Sequence, residues 1–311
     1  MDGETLALVL LSTAKLVTYC AFFGLVGGLA VQLILVPLCQ RNATHPQQLL
    51  KSIGRRMQSV TVGSAGLLVC ASLVRLYAQT YSVFGVDESV TLELLRVVAF
   101  ETRWGNQWMP QVYATGIVAV AAVLLLARLQ VGWWLTASGV VALAITFPLT
   151  GHAMSYWEDS VLPWLLQVGH GVAAALWLGT LLAVVVALRS LQSSATVGSH
   201  QLSASLVNTF SPVAVGAVSV VLVTGLTTGV FYIEHWNQLW ETTYGLVLLG
   251  KVLLMLVTGA VGAYNWKIMR PRLGTSDGAR VLIKSARLEL VIAVMVLTLT
   301  AVLVHLPMPH E

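Results

Sequence analysis

Charged residues are scarce in this 311-residue sequence: they make up 10% of the chain, whereas apolar residues make up 57%. Soluble globular domains usually contain about 25% charged residues, so the composition excludes an ordinary soluble protein. A mean hydropathy of +0.82 leads to the same conclusion. The sequence is therefore typical of a membrane protein that crosses the bilayer several times.

Cysteine is scarce as well. The three cysteines, Cys20, Cys39 and Cys70, lie within or at the edge of apolar runs, so they provide no extracellular disulfide framework.

The usual phosphate-binding loop is also missing, which argues against ATP-driven pumping by this chain alone. The net charge of +4 is distributed unevenly along the sequence and indicates membrane topology, not binding to nucleic acid.

Eight apolar runs have about the length of 20 residues that crosses a bilayer as a helix. Open strands would leave backbone groups unsatisfied in lipid, so these spans must be helical. We therefore predict an all-α fold, a polytopic bundle of eight transmembrane helices. Ser211-Pro212 is typical of a helix start. The predicted spans are residues 16–38, 58–78, 111–127, 132–150, 161–188, 210–232, 245–266 and 287–305.

The loops at one end of this predicted bundle hold most of the 17 lysines and arginines. Such loops usually stay in the cytoplasm, which predicts that both termini lie outside. Most of the 13 acidic residues lie at the outer end. They either concentrate cations there or are ordinary solvated residues.

Two stretches of the chain look alike. Glu101-Thr102-Arg103-Trp104-Gly105 opens the third span, and Glu241-Thr242-Thr243-Tyr244-Gly245 opens the seventh. A four-span unit returns the chain to its starting side, so the similarity predicts two parallel four-helix repeats. The predicted repeats are residues 1–156, which include an outer loop at 79–110, and residues 157–311. Ligands are expected to gather where the two halves meet.

Four of the seven histidines, His152, His170, His235 and His305, fall at or near the ends of apolar runs on the predicted outer side. His170 is the strongest candidate, because it lies ~13 Å into the fifth span, too deep to be a solvated residue at a helix end. Met154 adds a thioether close to His152. Converging imidazoles and a thioether suit a soft or borderline transition metal such as copper. We therefore predict a metal site formed by His152, His170, His305, His235 and Met154.

The same histidines allow a second interpretation. Two of them on facing helices are able to ligate one haem, so His170 with His152 or His305 would make a single-haem b-type membrane redox protein near the outer face. The residues alone leave copper binding and haem binding both open.

Several sequence strings resemble the copper-resistance D family. They are Gly151-His152-Ala153, His170-Gly171-Val172-Ala173-Ala174-Ala175-Leu176-Trp177-Leu178-Gly179, Phe210-Ser211-Pro212-Val213-Ala214 and Thr243-Tyr244-Gly245, with Lys251 and Asn265 further on. The resemblance covers essentially the whole chain. His152 and His170 match histidine positions of the family, whereas His235, Met154 and His305 rest on location alone.

This resemblance implies a bacterial inner-membrane protein that takes copper, as Cu(I) or Cu(II), at the periplasmic face and moves it toward the cytoplasm in copper homeostasis or resistance. It also implies that a small periplasmic copper-binding protein delivers the metal. We expect no enzymatic activity unless the haem alternative holds. The expected partners are copper, that protein and the lipid bilayer, and nucleic acid is not expected to bind.

Three ionisable side chains, Lys251, Arg75 and Glu289, lie inside the predicted spans or at their edges. Lys251 and Arg75 are expected to extend to the interface or to pair with an acid. Lys251 beside the histidines would instead oppose a bound cation. Glu289 has either a structural role near Arg287 or a role at an exit for the metal.

Overall fold

The computed structural model describes residues 3–42, 45–85, 89–151, 161–192, 198–233, 235–270 and 276–307. Every regular element in these ranges is a helix, which confirms the predicted all-α class. Eight of the described helices are long and apolar enough to cross a membrane, as predicted. The chain is thus a multi-pass membrane protein.

Eight long helices and two short ones follow each other in the described ranges of the chain. They are α1 (Gly3–Arg41), α2 (Gln47–Phe84), α3 (Leu92–Glu101), α4 (Arg103–Leu126), α5 (Val131–Thr150), α6 (Val161–Gln192), α7 (Ser199–Tyr232), α8 (Gln238–Glu241), α9 (Thr243–Met269) and α10 (Ser276–Leu303). The end of the bundle that holds Gly3 and Leu303 is called the terminal end here, and the other end is called the loop end.

Several helices are longer than the apolar runs that predicted them. α1 begins at Gly3, α2 at Gln47 and α7 at Ser199. An apolar run marks only the part of a helix that lies in hydrocarbon, whereas backbone hydrogen bonds continue the helix beyond it. For the same reason most of the predicted outer loop at 79–110 is helical, because the end of α2, all of α3 and the start of α4 occupy it.

The helix start predicted at Ser211-Pro212 is wrong. Both residues lie inside α7, where the Ser211 hydroxyl donates a hydrogen bond to the Val207 carbonyl at 2.8 Å. An internal proline is tolerated in a membrane helix because neighbouring groups satisfy the freed backbone atoms. The sequence signal was therefore local, and the surrounding bundle overrode it.

The centre of the bundle is the crossing of α1 and α6, the two most buried spans. Gly27 and Gly179 meet there. A Cβ on Gly27 would overlap the Gly179 carbonyl, and a Cβ on Gly179 would overlap the Phe23 carbonyl. Glycine permits this close backbone approach. Trp177, two residues before Gly179, is also buried.

The two similar sequence stretches have the same local structure. The Thr102 side chain caps α4 by accepting from the Gly105 N–H at 3.0 Å, and the Thr242 side chain caps α9 by accepting from the Gly245 N–H at 3.0 Å. A short helix, α3 or α8, precedes each cap. The two entrances are thus built alike. The division into two repeats at residue 156 stays a prediction.

Candidate functional site

His170 of α6 lies against α7 in the half of α6 nearer the terminal end. Its Nδ1 atom is 3.0 Å from Oγ1 of Thr224. The ring is half-buried. A histidine in a membrane helix is expected to have such a partner, because an unsatisfied ring nitrogen in an apolar environment is costly.

The Thr224 hydroxyl bears on which ring nitrogen of His170 carries the hydrogen. Its oxygen also lies 2.6 Å from the Val220 carbonyl, to which it can donate. When the hydroxyl donates to Val220, Oγ1 accepts from His170 and Nδ1 carries the hydrogen. In that tautomer Nε2 has the lone pair that a metal requires, as in histidine ligands whose second nitrogen is held by a hydrogen bond.

Gly225 of α7 lies against the His170 ring. A Cβ on Gly225 would lie 3.2 Å from Cε1 of His170, so the ring packs directly over the glycine backbone. Lys251 of α9 is half-buried, and a positive charge there would oppose a cation bound at His170.

His305 lies in a different place, at the terminal end. It lines a cavity of about 440 Å³ together with Glu4, Trp104, Thr150 and Gly151. Gly151 directly precedes His152 in the sequence. His170 is not among the residues that line this cavity. His305 and the backbone next to His152 therefore share one surface that His170 does not reach.

The remaining predicted ligands are His235, His152 and Met154. His235 is exposed in the connection before α8, where its backbone N–H donates to Oε1 of Gln238 at 3.2 Å. His152 and Met154 lie outside the described residues. Within the described ranges, no three His, Cys, Asp or Glu side chains are grouped closely enough to hold a metal ion. The convergence of the four histidines thus stays a prediction.

Two buried cations lie beneath the cavity. Arg75 of α2 is 3% exposed and Lys15 of α1 is 2% exposed. Two glycine contacts, Gly24 with Ser64 and Gly28 with Thr61, fix the antiparallel register of these helices, and this register brings residue 15 level with residue 75. Two positive charges thus lie at one level of the α1–α2 interface.

Neutral groups surround these cations. Arg75 donates to Oε1 of Gln111 at 2.7 Å and to Oγ1 of Thr150 at 2.5 Å, and its guanidinium lies 5.7 Å from the Trp104 ring centre. Nζ of Lys15 lies 5.4 Å from the centre of the Tyr19 ring. No carboxylate in the described part of the chain pairs with either cation. Arg75 therefore neither extends to the interface nor forms an ion pair.

Pro148 helps to build this cluster. A proline inside a helix removes a backbone donor and so frees a carbonyl in the preceding turn. In the structure, the last turn, Phe147–Thr150, is a 3₁₀ turn. The Thr146 carbonyl accepts from Nε2 of Gln111 at 2.9 Å, and the Ile145 carbonyl accepts from Nε1 of Trp164 at 3.0 Å. Side chains thus donate hydrogen bonds to the backbone carbonyls at the end of this helix.

Lys15 was missed in the sequence because the apolar run begins directly after it, so it was placed outside the first span. It lies 12 residues into α1, about 18 Å at 1.5 Å per residue. Residues 3–14 could have shown that Lys15 lies within the first span. Their apolar residues, such as Leu6 and Leu10, indicate that this span begins before residue 16.

Comparison with known proteins identifies the family. Residues 5–157 match the family described as "Copper resistance protein D-like, N-terminal domain", and residues 204–303 match "Copper resistance protein D". The chain belongs to the copper resistance protein D family. His170 falls between the two matched ranges, whereas Thr224, Gly225 and Lys251 lie within the second.

One curated relative of the family, "Copper transport protein CutJ" of Bacillus subtilis (strain 168), is 28% identical over 264 residues. The match covers 83% of this chain and 47% of the relative, so the chain spans about half the length of the curated relative that it matches. No solved structure matches the chain significantly. Membership of this family supports a role in copper handling.

Proposed function

We propose that this protein binds copper at the periplasmic face of the inner membrane and carries it across, toward the cytoplasm. The observation that carries the proposal is the His170–Thr224 pair. Thr224 holds the ring through Nδ1, and in this proposal Nδ1 carries the hydrogen, so that Nε2 binds the metal within the membrane span. The name of the relative, a copper transport protein, supports copper as the cargo.

In this proposal, His170 is the central ligand, and further donors come from His152, Met154, His305 and His235. His305 and Gly151 line one cavity at the terminal end, so copper that enters there would meet His305 and His152 first. Imidazole donors suit Cu(II), and the Met154 thioether suits Cu(I). Lys251 keeps binding at His170 weak enough for the ion to leave again, as transport requires.

The proposed orientation puts the terminal end in the periplasm. The loop end carries Arg41, Arg55 and Arg128, which supports a cytoplasmic location of that end. A periplasmic copper-binding protein would then deliver the ion to the cavity. The orientation is tested by single cysteines at Glu4 and Lys51 in a chain without its own cysteines. An impermeant thiol reagent added to spheroplasts should label only the cysteine at 4, and labelling of only the cysteine at 51 would reverse the proposal.

We favour a copper carrier without enzymatic activity over a haem protein. A bis-histidine haem site needs two facing rings, and within the described residues His170 faces Thr224 and Gly225 instead of another histidine. A visible spectrum of the purified protein tests this choice. A Soret band with about one haem per chain would overturn it.

The decisive experiment measures copper uptake into vesicles that contain the purified protein. His170→Ala should reduce uptake at least about tenfold, because a central ligand is lost. His200→Ala is the matched control, since His200 is an exposed histidine at the loop end. Equal uptake by wild type and His170→Ala would overturn the proposed function.

A further inference from the structure

The two buried cations at the terminal end form the floor of the cavity. On α1, Leu11 lines the cavity, and Lys15 follows it by four residues. On α2, which runs antiparallel to α1, Gln79 lines the cavity, and Arg75 precedes it by four residues. Residues four apart lie on the same face of a helix, about 6 Å apart along its axis. Lys15 and Arg75 therefore lie one turn below the lining residues.

The hydroxyl of Thr150 joins this floor to the cavity, which it lines. Its Oγ1 accepts from Arg75 at 2.5 Å and from Nε2 of Gln111 at 3.0 Å. A hydroxyl oxygen has two lone pairs, so both are used and its own hydrogen is left to be donated. Among the described residues, no group accepts this hydrogen.

Other donors at the floor also lack acceptors within the described ranges. Ser12, three residues before Lys15 on α1, is 8% exposed, and its buried Oγ has no hydrogen-bond partner. The Lys15 ammonium has three N–H groups, and its one described partner is the Tyr19 ring. A guanidinium has five N–H groups, and described acceptors take two of those of Arg75. The side chains with unused donors are Ser12, Lys15, Arg75 and Thr150.

The group that the floor lacks is a negative charge and not only an acceptor. Water would accept these hydrogen bonds but would leave two buried positive charges uncompensated, which is strongly destabilising. Glu4 also lines the cavity, but it lies 11 residues from Lys15, about 16 Å along α1. The floor therefore fits an anion that enters from the cavity.

The size and the walls of the cavity indicate what kind of anion fits. Its volume of about 440 Å³ is that of a pocket for a small organic molecule, whereas a single inorganic ion would fill little of it. Leu8, Leu11, Val304 and Trp104 provide apolar walls. The planar guanidinium of Arg75 matches the geometry of a carboxylate. An apolar body with a carboxylate at its inner end satisfies both the walls and the floor.

We propose that the cavity binds a small organic acid, whose carboxylate accepts hydrogen bonds from Lys15, Arg75, Ser12 and Thr150 at the floor. This site goes beyond the proposed function, because its ligand is an anion and His170 takes no part in it. It also bears on copper that enters the cavity. Two positive charges beneath the cavity repel a copper ion, and a bound carboxylate reduces this repulsion.

The first test uses the unmodified protein, purified in detergent, with radiolabelled butyrate as the probe in equilibrium dialysis. About one butyrate should bind per chain. Butyramide has the same shape without the charge and should not compete, and an equal concentration of chloride should not displace butyrate. The absence of butyrate binding, or equal competition by butyramide, would overturn the proposal. Displacement by chloride would show that an inorganic ion fills the floor and would overturn the organic acid as the ligand.

The second test locates the site with variants. Lys15→Met should lower the affinity for butyrate about 10- to 100-fold, because a hydrogen bond between charged groups is lost. Ser12→Ala removes one donor to the carboxylate and should lower the affinity about tenfold. Lys51→Met is the matched control, since Lys51 is exposed at the loop end. Unfolding temperatures of the same samples verify that each variant is folded. Equal butyrate affinity of wild type and Lys15→Met would overturn the proposal.

The anion site and the proposed function fail in different ways. His170→Ala should bind butyrate like wild type. If His170→Ala transports copper normally while butyrate binding depends on Lys15, only the proposed function is wrong. If His170→Ala abolishes copper uptake and the protein binds no butyrate, only the anion site is wrong.

Discussion

Nδ1 of His170 lies 3.0 Å from Oγ1 of Thr224 across the interface between α6 and α7, and the same oxygen lies 2.6 Å from the Val220 carbonyl. One hydroxyl therefore holds the ring, and when it donates to Val220 it also selects the tautomer with the hydrogen on Nδ1. The partner that holds the ring is 54 positions away in the chain.

Removing this hydroxyl should weaken copper binding. Thr224→Val keeps the shape of the side chain but loses the acceptor, so copper affinity should fall about 10- to 100-fold, as for other residues that orient a metal ligand. Thr224→Ser should retain most of the affinity. The control is Thr227→Val, because Thr227 is half-buried on the same helix and its hydroxyl donates to Val223 O of that helix. Titration of the purified protein with copper measures the effect, and equal affinities of Thr224→Val and Thr227→Val would contradict this role.

A methyl group at position 225 should displace the His170 ring. The Cβ of Gly225→Ala would lie 3.2 Å from Cε1, so the ring must shift by a few tenths of an ångström. Copper affinity should fall about tenfold, because ligand geometry is sensitive to such shifts. Gly229→Ala, one turn further on α7, meets no atom within 4 Å and should bind copper like wild type. A Gly225→Ala protein that binds normally would show that the ring tolerates the shift.

The crossing of α1 and α6 should not tolerate a side chain at residue 179. The Cβ of Gly179→Ala would overlap the Phe23 backbone, so the helices must separate, at a cost of about 1–3 kcal/mol. Gly171→Ala on the same helix meets no atom within 4 Å and should be neutral or slightly stabilising. Unfolding of both variants in detergent compares the two costs. Equal stability of the two proteins would argue against a close crossing in solution.

The buried cations at the terminal end should respond in opposite ways to two substitutions. Lys15→Met removes a buried charge whose one partner among the described residues is the Tyr19 ring, so stability should be unchanged or rise by about 1–3 kcal/mol. Gln111→Leu leaves the buried Arg75 without its acceptor at 2.7 Å and should destabilise by about 1–3 kcal/mol. Chemical unfolding in detergent gives both values. Strong destabilisation by Lys15→Met would mean that the charge has a binding partner in the folded protein.

The prediction from sequence succeeded where a property is a sum over neighbouring residues. Hydropathy summed over about 20 residues gave all eight spans. It failed at their ends, as at Lys15 and at Ser211-Pro212, because a helix continues wherever its backbone hydrogen bonds are satisfied and not only where its side chains are apolar.

The sequence by itself determined a helical membrane protein with a histidine deep in its fifth span, because the bilayer forces apolar runs into helices and makes a polar ring within one of them exceptional. Only the tertiary structure decided that Thr224 orients His170, that Lys15 lies level with Arg75, and that Asn265 bonds to Glu289. Each of these pairs joins two helices, and whether two side chains meet depends on how far each helix is rotated and shifted against the other. That information is distributed over all the packing contacts of the bundle and is not present in any local stretch of sequence.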